Sequence, residues 1–267
     1  MILETPKLRG NHIYEHLGVH SRMIDETSGE THMPTGPDVR LKGILRAAPL
    51  GLSFEQGVAT YVYKKVLAVP VQIQLHIRDA GEGIEGIRSV THQVRLGRSL
   101  VVTDGEIRDS ANPERLVAYG SIIWSVIGPA PDMGDGPGDP PSHEPSDTPV
   151  GEAAGIVPLE DGTGVRLDGI SAQATGPGGI LHAGMFQMLS EDAALTVARR
   201  ELGDVPIQAV DCTYDFLDAG REGPFVARAD VVCSGSQGVE LRINIRDEGN
   251  NDRLGCAAWV RVIPAGR

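Results

Sequence analysis

Aromatic residues are scarce: Phe, Trp and Tyr make up 4% of the 267 residues. That leaves little material for the stacked aromatic platforms on which single-stranded nucleic acids are held. Positive charge is also in deficit, with 24 Lys and Arg against 36 Asp and Glu and a formal net charge of −12. A nucleic-acid surface needs a net basic footprint, so no nucleic-acid partner is expected. No run of 18 apolar residues occurs, so no spanning helix and no membrane partner are expected. The opening Met-Ile-Leu-Glu-Thr-Pro-Lys lacks the basic and then apolar order of a secretory signal, and a cytoplasmic location is expected. The three cysteines (Cys212, Cys233, Cys256) are odd in number and form no Cys-x-x-Cys pair. They read as small buried hydrophobes in a reducing compartment rather than as a disulfide framework or zinc site.

Several catalytic signatures are absent as well. There is no Gly-x-Ser-x-Gly elbow for a serine hydrolase. The Gly176-Pro177-Gly178-Gly179 run lacks the order of a phosphate-binding loop. His12, His16 and His20 have helical i, i+4 spacing, but Gly18 interrupts them and no Glu-x-x-His accompanies them, so no metal is expected.

Glycine, by contrast, is abundant, at 34 residues. Some of it lies in residues 129–150, which hold seven prolines, three glycines, five acids and no Lys or Arg. Such a segment cannot bury enough apolar surface to offset its ordering entropy. It reads as a disordered linker between pieces 1–128 and 151–267.

Those pieces repeat one another. At a shift of 136, Gly43-Ile44-Leu45 falls on Gly179-Ile180-Leu181, Ala47 on Ala183, Glu55 on Glu191, Thr60 on Thr196, Val69-Pro70 on Val205-Pro206 and Gln72 on Gln208. Asp79-Ala80-Gly81 meets Asp218-Ala219-Gly220, and Ile107-Arg108-Asp109 with Arg115-Leu116 meets Ile245-Arg246-Asp247 with Arg253-Leu254. Each copy opens with a weak extended region, Leu17 to Ile24 or Gly164 to Ala172. A long helix follows, Ala47 to about Lys65 or Ala183 to about Glu201, apolar nearly all round and so expected to be enclosed. The second ends on Arg199-Arg200 with Gly203 beyond, as the negative end of a helix dipole and a left-handed cap require. Period-two runs such as Val71, Ile73, Leu75, Ile77 and Val239, Leu241, Ile243, Ile245 then predict hairpin-linked strands. The fold class is α+β, an antiparallel sheet wrapped around a long central helix, twice over.

The helix opening His182-Ala183-Gly184, with Glu191 nine residues after the histidine, resembles the hotdog-fold acyl-CoA thioesterases, in particular their PaaI-type and 4-hydroxybenzoyl-CoA-type members. Those proteins open the central helix with His-Gly-Gly and place a carboxylate nine positions later. Asp-x-x-Asp-Ala-Gly at 215–220, the alternating run 239–245 and the closing strand to Ile263 are also similar. The resemblance implies two tandem hotdog domains and hydrolysis of an acyl-CoA thioester, with coenzyme A as part of the substrate and no separate cofactor. It further implies that one unit's helix start faces the other unit's carboxylate. One site would join His182, Ala183 and Gly184 to Glu55, and the other would join Arg46, Ala47 and Ala48 to Glu191. Here Ala183 and Ala47 stand where the family has its first glycine, and Arg46 stands in place of the histidine.

Physical chemistry supports that assignment. Unpaired amides and positive potential at a helix start can stabilise a thioester oxyanion, glycine at 179 and 184 leaves room for close approach, and a carboxylate can activate water or attack directly. The same fold also hosts enoyl-CoA hydratases and acyl-CoA-binding proteins without turnover, which are the alternatives. The hydratase segment Gly-Asp-x-Asn-Pro-x-His is absent. Arg88, Arg95, Arg228 and Arg246 are candidates to meet the CoA phosphates. Further association of the fused pair into a homo-oligomer through sheet edges is expected.

Overall fold

A computed structural model describes residues 13–130 and 146–265. Most of the proline-rich segment, and His12, lie outside the described residues. The first half runs through α1 (Ile13–His16), β1 (His20–Asp25), β2 (Ser28–Pro34), the short ribbon β3 (Arg40–Leu41) and β4 (Ile44–Leu45), and α2 (Ala47–Val62). It continues with β5 (Val66–Ile77), β6 (Gly86–Leu96), β7 (Leu100–Asp109) and β8 (Leu116–Pro129). The second half comprises α3 (Val150–Ala153), β9 (Val157–Pro158), β10 (Gly164–Leu167), α4 (Ala183–Leu202), β11 (Ile207–Phe216), β12 (Phe225–Gly235), β13 (Gly238–Asp247) and β14 (Arg253–Pro264). Pro129 thus closes a strand and Val150 opens a helix.

Twelve strands form one antiparallel sheet in the order β1-β2-β6-β7-β8-β5-β11-β14-β13-β12-β10-β9. Read outward from its centre, each half repeats the other. The halves join where β5 pairs with β11, with Leu75 opposite Cys212 and Gln72 opposite Asp215. Inward-facing residues of both halves cover α2 and α4, which also pack on each other. Both helices are therefore enclosed, as their all-round apolarity requires. The first extended region becomes a β1–β2 hairpin, while its counterpart is the four-residue β10. Gly203, at φ 79°, ends α4, and its N–H donates to the Arg199 carbonyl.

The repeated motifs outside the helices are loop clamps. Arg115 grips Asp79 at 2.7 Å, and Arg253 grips Asp218 at 2.9 Å. The Asp-Ala-Gly loops in turn hold the entries to the helices: Leu45 N–H donates to the Ala80 carbonyl at 2.9 Å, and Leu181 N–H to the Gly220 carbonyl at 2.8 Å. A side chain at either glycine would strike that leucine, with a Cβ at 2.2 Å from Leu45 Cδ1 for Gly81 and 2.8 Å from Leu181 Cβ for Gly220. The same loop contacts thus brace the entry to each helix.

Cys212 and Cys256 are buried free thiols, but Cys233 is exposed, against the expectation for it. It lies in the outer stretch of β12, where both faces of the strand are open to solvent. No helix among the described residues is long and apolar enough to cross a membrane.

Candidate functional site

The sheet brings the starts of α2 and α4 close to each other's carboxylates, and the two junctions are built differently. At the start of α2, both oxygens of Glu191 are engaged. Oε1 accepts from Ala47 N–H at 2.7 Å and Oε2 from Ala48 N–H at 3.0 Å. Arg46, which precedes the helix and is 5% exposed, lies 3.3 Å from Glu191 and 2.6 Å from Asp192. Burial pushes the Asp192 carboxyl up, against the pull of Arg46. The cavity left beside Arg46 and Glu191 is about 10 Å³, barely one water. The two amides that could receive a thioester oxygen are already capping a carboxylate, and the positive helix end and the guanidinium complete its neutralisation.

At the start of α4 the carboxylate stands apart from the amides. The Gly184 N–H donates to His182 Nδ1 at 3.0 Å, so the histidine caps its own helix. The Ala183 N–H has no acceptor among the described residues. The edge of Tyr14, from α1, meets the His182 ring with centroids 5.1 Å apart. Glu55 is 5% exposed and accepts a single hydrogen bond among the described residues, from Gln187 Nε2 at 3.3 Å. Burial raises its pKa from 4.5 to about 8, with the Gln187 N–H pulling the other way. Tyr14 and Tyr63 are held well above their ordinary values, first by burial and then by the Glu55 charge. A buried carboxyl with so little to neutralise it is a feature of sites that move protons.

The space above Gly184 is not open to a ligand, contrary to the expectation for that glycine. A Cβ there would lie 2.1 Å from Leu52 Cδ2, so the residue is small to admit a side chain of α2. Gly179, at φ 76°, has nothing within 4 Å of its absent Cβ. Arg40, which stands six residues before Arg46, donates to the carbonyls of Thr35, Gly43, Gly81 and Ile84 and serves as a loop brace. Of the four arginines considered for phosphates, Arg88 is paired with Glu30, Arg228 with Asp161 and Arg246 with Asp252. No cluster of three metal-binding side chains occurs among the described residues.

A recess of about 610 Å³ lies elsewhere, on the outside of the β6–β8 sheet among Arg88, His92, Asp104, Glu106, Arg108 and Tyr119. None of its lining residues belongs to either helix start, and its arginines are bound to Glu30 and Glu106. Size alone does not make it the reactive centre. The residues that sequence reasoning overlooked are Gln187, Asp192 and Tyr14. Gln187 could have been found from the repeat, which sets an amide in one buried helix opposite Gly51 in the other.

Two consequences for stability follow from the unequal carboxylates. Glu191→Gln removes one acceptor and half the charge facing buried Arg46; breaking such a pair costs about 3 kcal/mol. For a chain of this size that lowers Tm by roughly 6–12 °C, and a thermal scan showing no change would contradict the clamp. Glu55 acts in the opposite sense. Its folded pKa lies above the unfolded value, so its favourable contribution is complete below about pH 4.5 and is lost as pH rises towards 8. Glu55→Gln should therefore match wild type in denaturant titrations near pH 4 and exceed it at pH 8, by at most about 4 kcal/mol. A gap independent of pH would contradict the raised pKa.

Comparison with known proteins bears on the family. The profile of the thioesterase superfamily matches residues 178–253, from just before α4 to the first residue of β14. Among solved structures, a candidate thioesterase II from Thermobifida fusca superposes with a TM-score of 0.67 at 12% identity, covering 96% of this chain and 100% of that one. A conserved protein with a hot dog fold from Alicyclobacillus acidocaldarius gives 0.63 at 9% identity, covering 97% and 100%. An acyl-ACP thioesterase from Bacteroides thetaiotaomicron gives 0.55 at 13% identity, covering 93% and 99%. No curated protein sequence matches. The structural likenesses carry the fold across both halves, and the profile matches part of the second: the chain has a hotdog fold, and its residues 178–253 are similar to the thioesterase superfamily.

Proposed function

We propose that the chain is an acyl-CoA thioesterase with one working site, formed by the start of α4 and Glu55 across two fused hotdog units. The observation that carries this reading is the contrast between the two carboxylates. Glu191 is engaged by two amides and an arginine, whereas among the described residues Glu55 is buried with one hydrogen bond and the Ala183 amide at the start of α4 has no acceptor. In this reading the thioester carbonyl oxygen accepts from Ala183 N–H. Glu55, in its ionised form, takes a proton from a water molecule, and the resulting hydroxide adds to the carbonyl carbon. The oxyanion is stabilised by the amide and the positive helix end. Its collapse breaks the C–S bond, and the departing thiolate takes the proton held by Glu55, giving a free acid and a thiol. His182 keeps the helix start in shape by capping Gly184, and Tyr14 packs against it.

The carboxyl pKa of about 8 sets the pH dependence. Ionised Glu55 is the reactive form, so kcat/KM for released thiol should rise with pH and level off above about 8. The panel for the assay is short, medium and aromatic acyl-CoAs. Glu55→Gln should lose at least about 100-fold, in line with removal of a general base, while remaining folded. Absence of turnover on every member, or an unchanged rate in that variant, would overturn the reading. Tight binding of an acyl-CoA without thiol release at pH 9 would instead support the non-catalytic acyl-CoA-binding alternative.

A further inference from the structure

The two halves differ at one place that decides what each carboxylate does. Gln187 of α4 and Gly51 of α2 are equivalent in the repeat, as are Glu55 and Glu191. Gln187 is completely buried, and its Nε2 donates to Glu55. Its Oε1, also buried, has no hydrogen-bond partner among the described residues. A Cβ at Gly51 would lie 2.0 Å from that oxygen, so the amide fills the space that a side chain at position 51 would need. By the pseudo-symmetry, a side chain at position 51 is also what would reach Glu191. Glycine offers none, and Glu191 lies instead on the Ala47 and Ala48 amides.

We infer that Gln187 is a positioning residue that holds Glu55 away from the amides at the start of α4, and that Gly51 both makes room for it and lets Glu191 close the equivalent site on α2. Without Gln187, Glu55 would settle on the Ala183 N–H as its twin does on Ala47, and the oxyanion site would fill with the protein's own carboxylate. The charge on the preceding residue reinforces the difference. Arg46 draws Glu191 towards α2, whereas His182 already holds the Gly184 amide through Nδ1. The titratable groups that feel Glu55 are Tyr14 from α1, whose ring meets His182 at the head of α4, and Tyr63 just beyond α2.

The inference rests on the proposed thioesterase reading for its catalytic meaning, but it can be tested without turnover. The full chain is labelled with ¹³C at glutamate side chains and titrated by NMR, with Glu55→Gln to assign the signal. In wild type the Glu55 carboxyl should titrate near 8. In Gln187→Leu, which keeps the volume filled, and in Gln187→Ala, it should fall by at least about one unit, because a backbone amide and the helix end now stabilise the charge. Gly51→Ala, which displaces the amide, should shift it the same way. A purely structural role predicts the reverse: burial persists, one N–H donor is lost, and the value stays or rises, which would overturn the inference. With a turned-over thioester, Gln187→Leu should also lose at least tenfold in kcat at pH 9, where wild-type Glu55 is ionised. If no thioester is turned over, the functional reading fails, and the titration still decides the role of Gln187.

Discussion

A carboxylate cannot be left alone in an apolar interior, and this chain buries one at the middle of each central helix. The desolvation of each must be offset by donors, by a cation or by a proton. Everything distinctive about the centre of the molecule follows from the two halves meeting that requirement differently. In one, two amides, a helix end and Arg46 neutralise Glu191 and lock α2 to α4. In the other, one amide hydrogen bond among the described residues leaves Glu55 dependent on its proton, with a pKa of about 8. The first arrangement favours stability and, in the proposed reading, the second favours reactivity.

The sheet makes this comparison possible. Because β5 and β11 pair antiparallel at the centre, each helix start is presented to the opposite unit's carboxylate in the same way. The loop clamps reinforce it, since Arg115–Asp79 and Arg253–Asp218 fix the same turn in each half, and those turns hold the leucine two residues before each helix. Against so symmetric a frame, single substitutions carry functional weight. Arg in place of His at 46 supplies a charge where its counterpart supplies a cap, and Gly in place of Gln at 51 withdraws an amide.

Much of this was legible in the chain. The repeat, the helix starts at Ala47 and Ala183 and the order of strands follow from periodicity and from matched loop motifs. The pairing of Glu55 with one helix start and Glu191 with the other follows from the family resemblance. What could not be read is how a buried group is satisfied. Glu55 and Glu191 are identical letters at equivalent positions, and only side-chain geometry separates an engaged carboxylate from one awaiting a proton. Gln187 was overlooked because one amide in an apolar helix has no motif, and Gly184 was misread because smallness serves Leu52 rather than a ligand. Cys233 escaped burial because strand patterning does not reveal where β12 runs past its covering helix.

The central claim is that a chain with two equivalent helix starts retains one that can receive a substrate. The most direct measurement is a structure of the full chain at saturating concentration of a non-hydrolysable thioether analogue of acyl-CoA. The account predicts one analogue per chain, its carbonyl oxygen on the Ala183 amide and Glu55 beside its carbonyl carbon, with Glu191 still on Ala47 and Ala48. An analogue seated at the start of α2, or one at each helix, would contradict it.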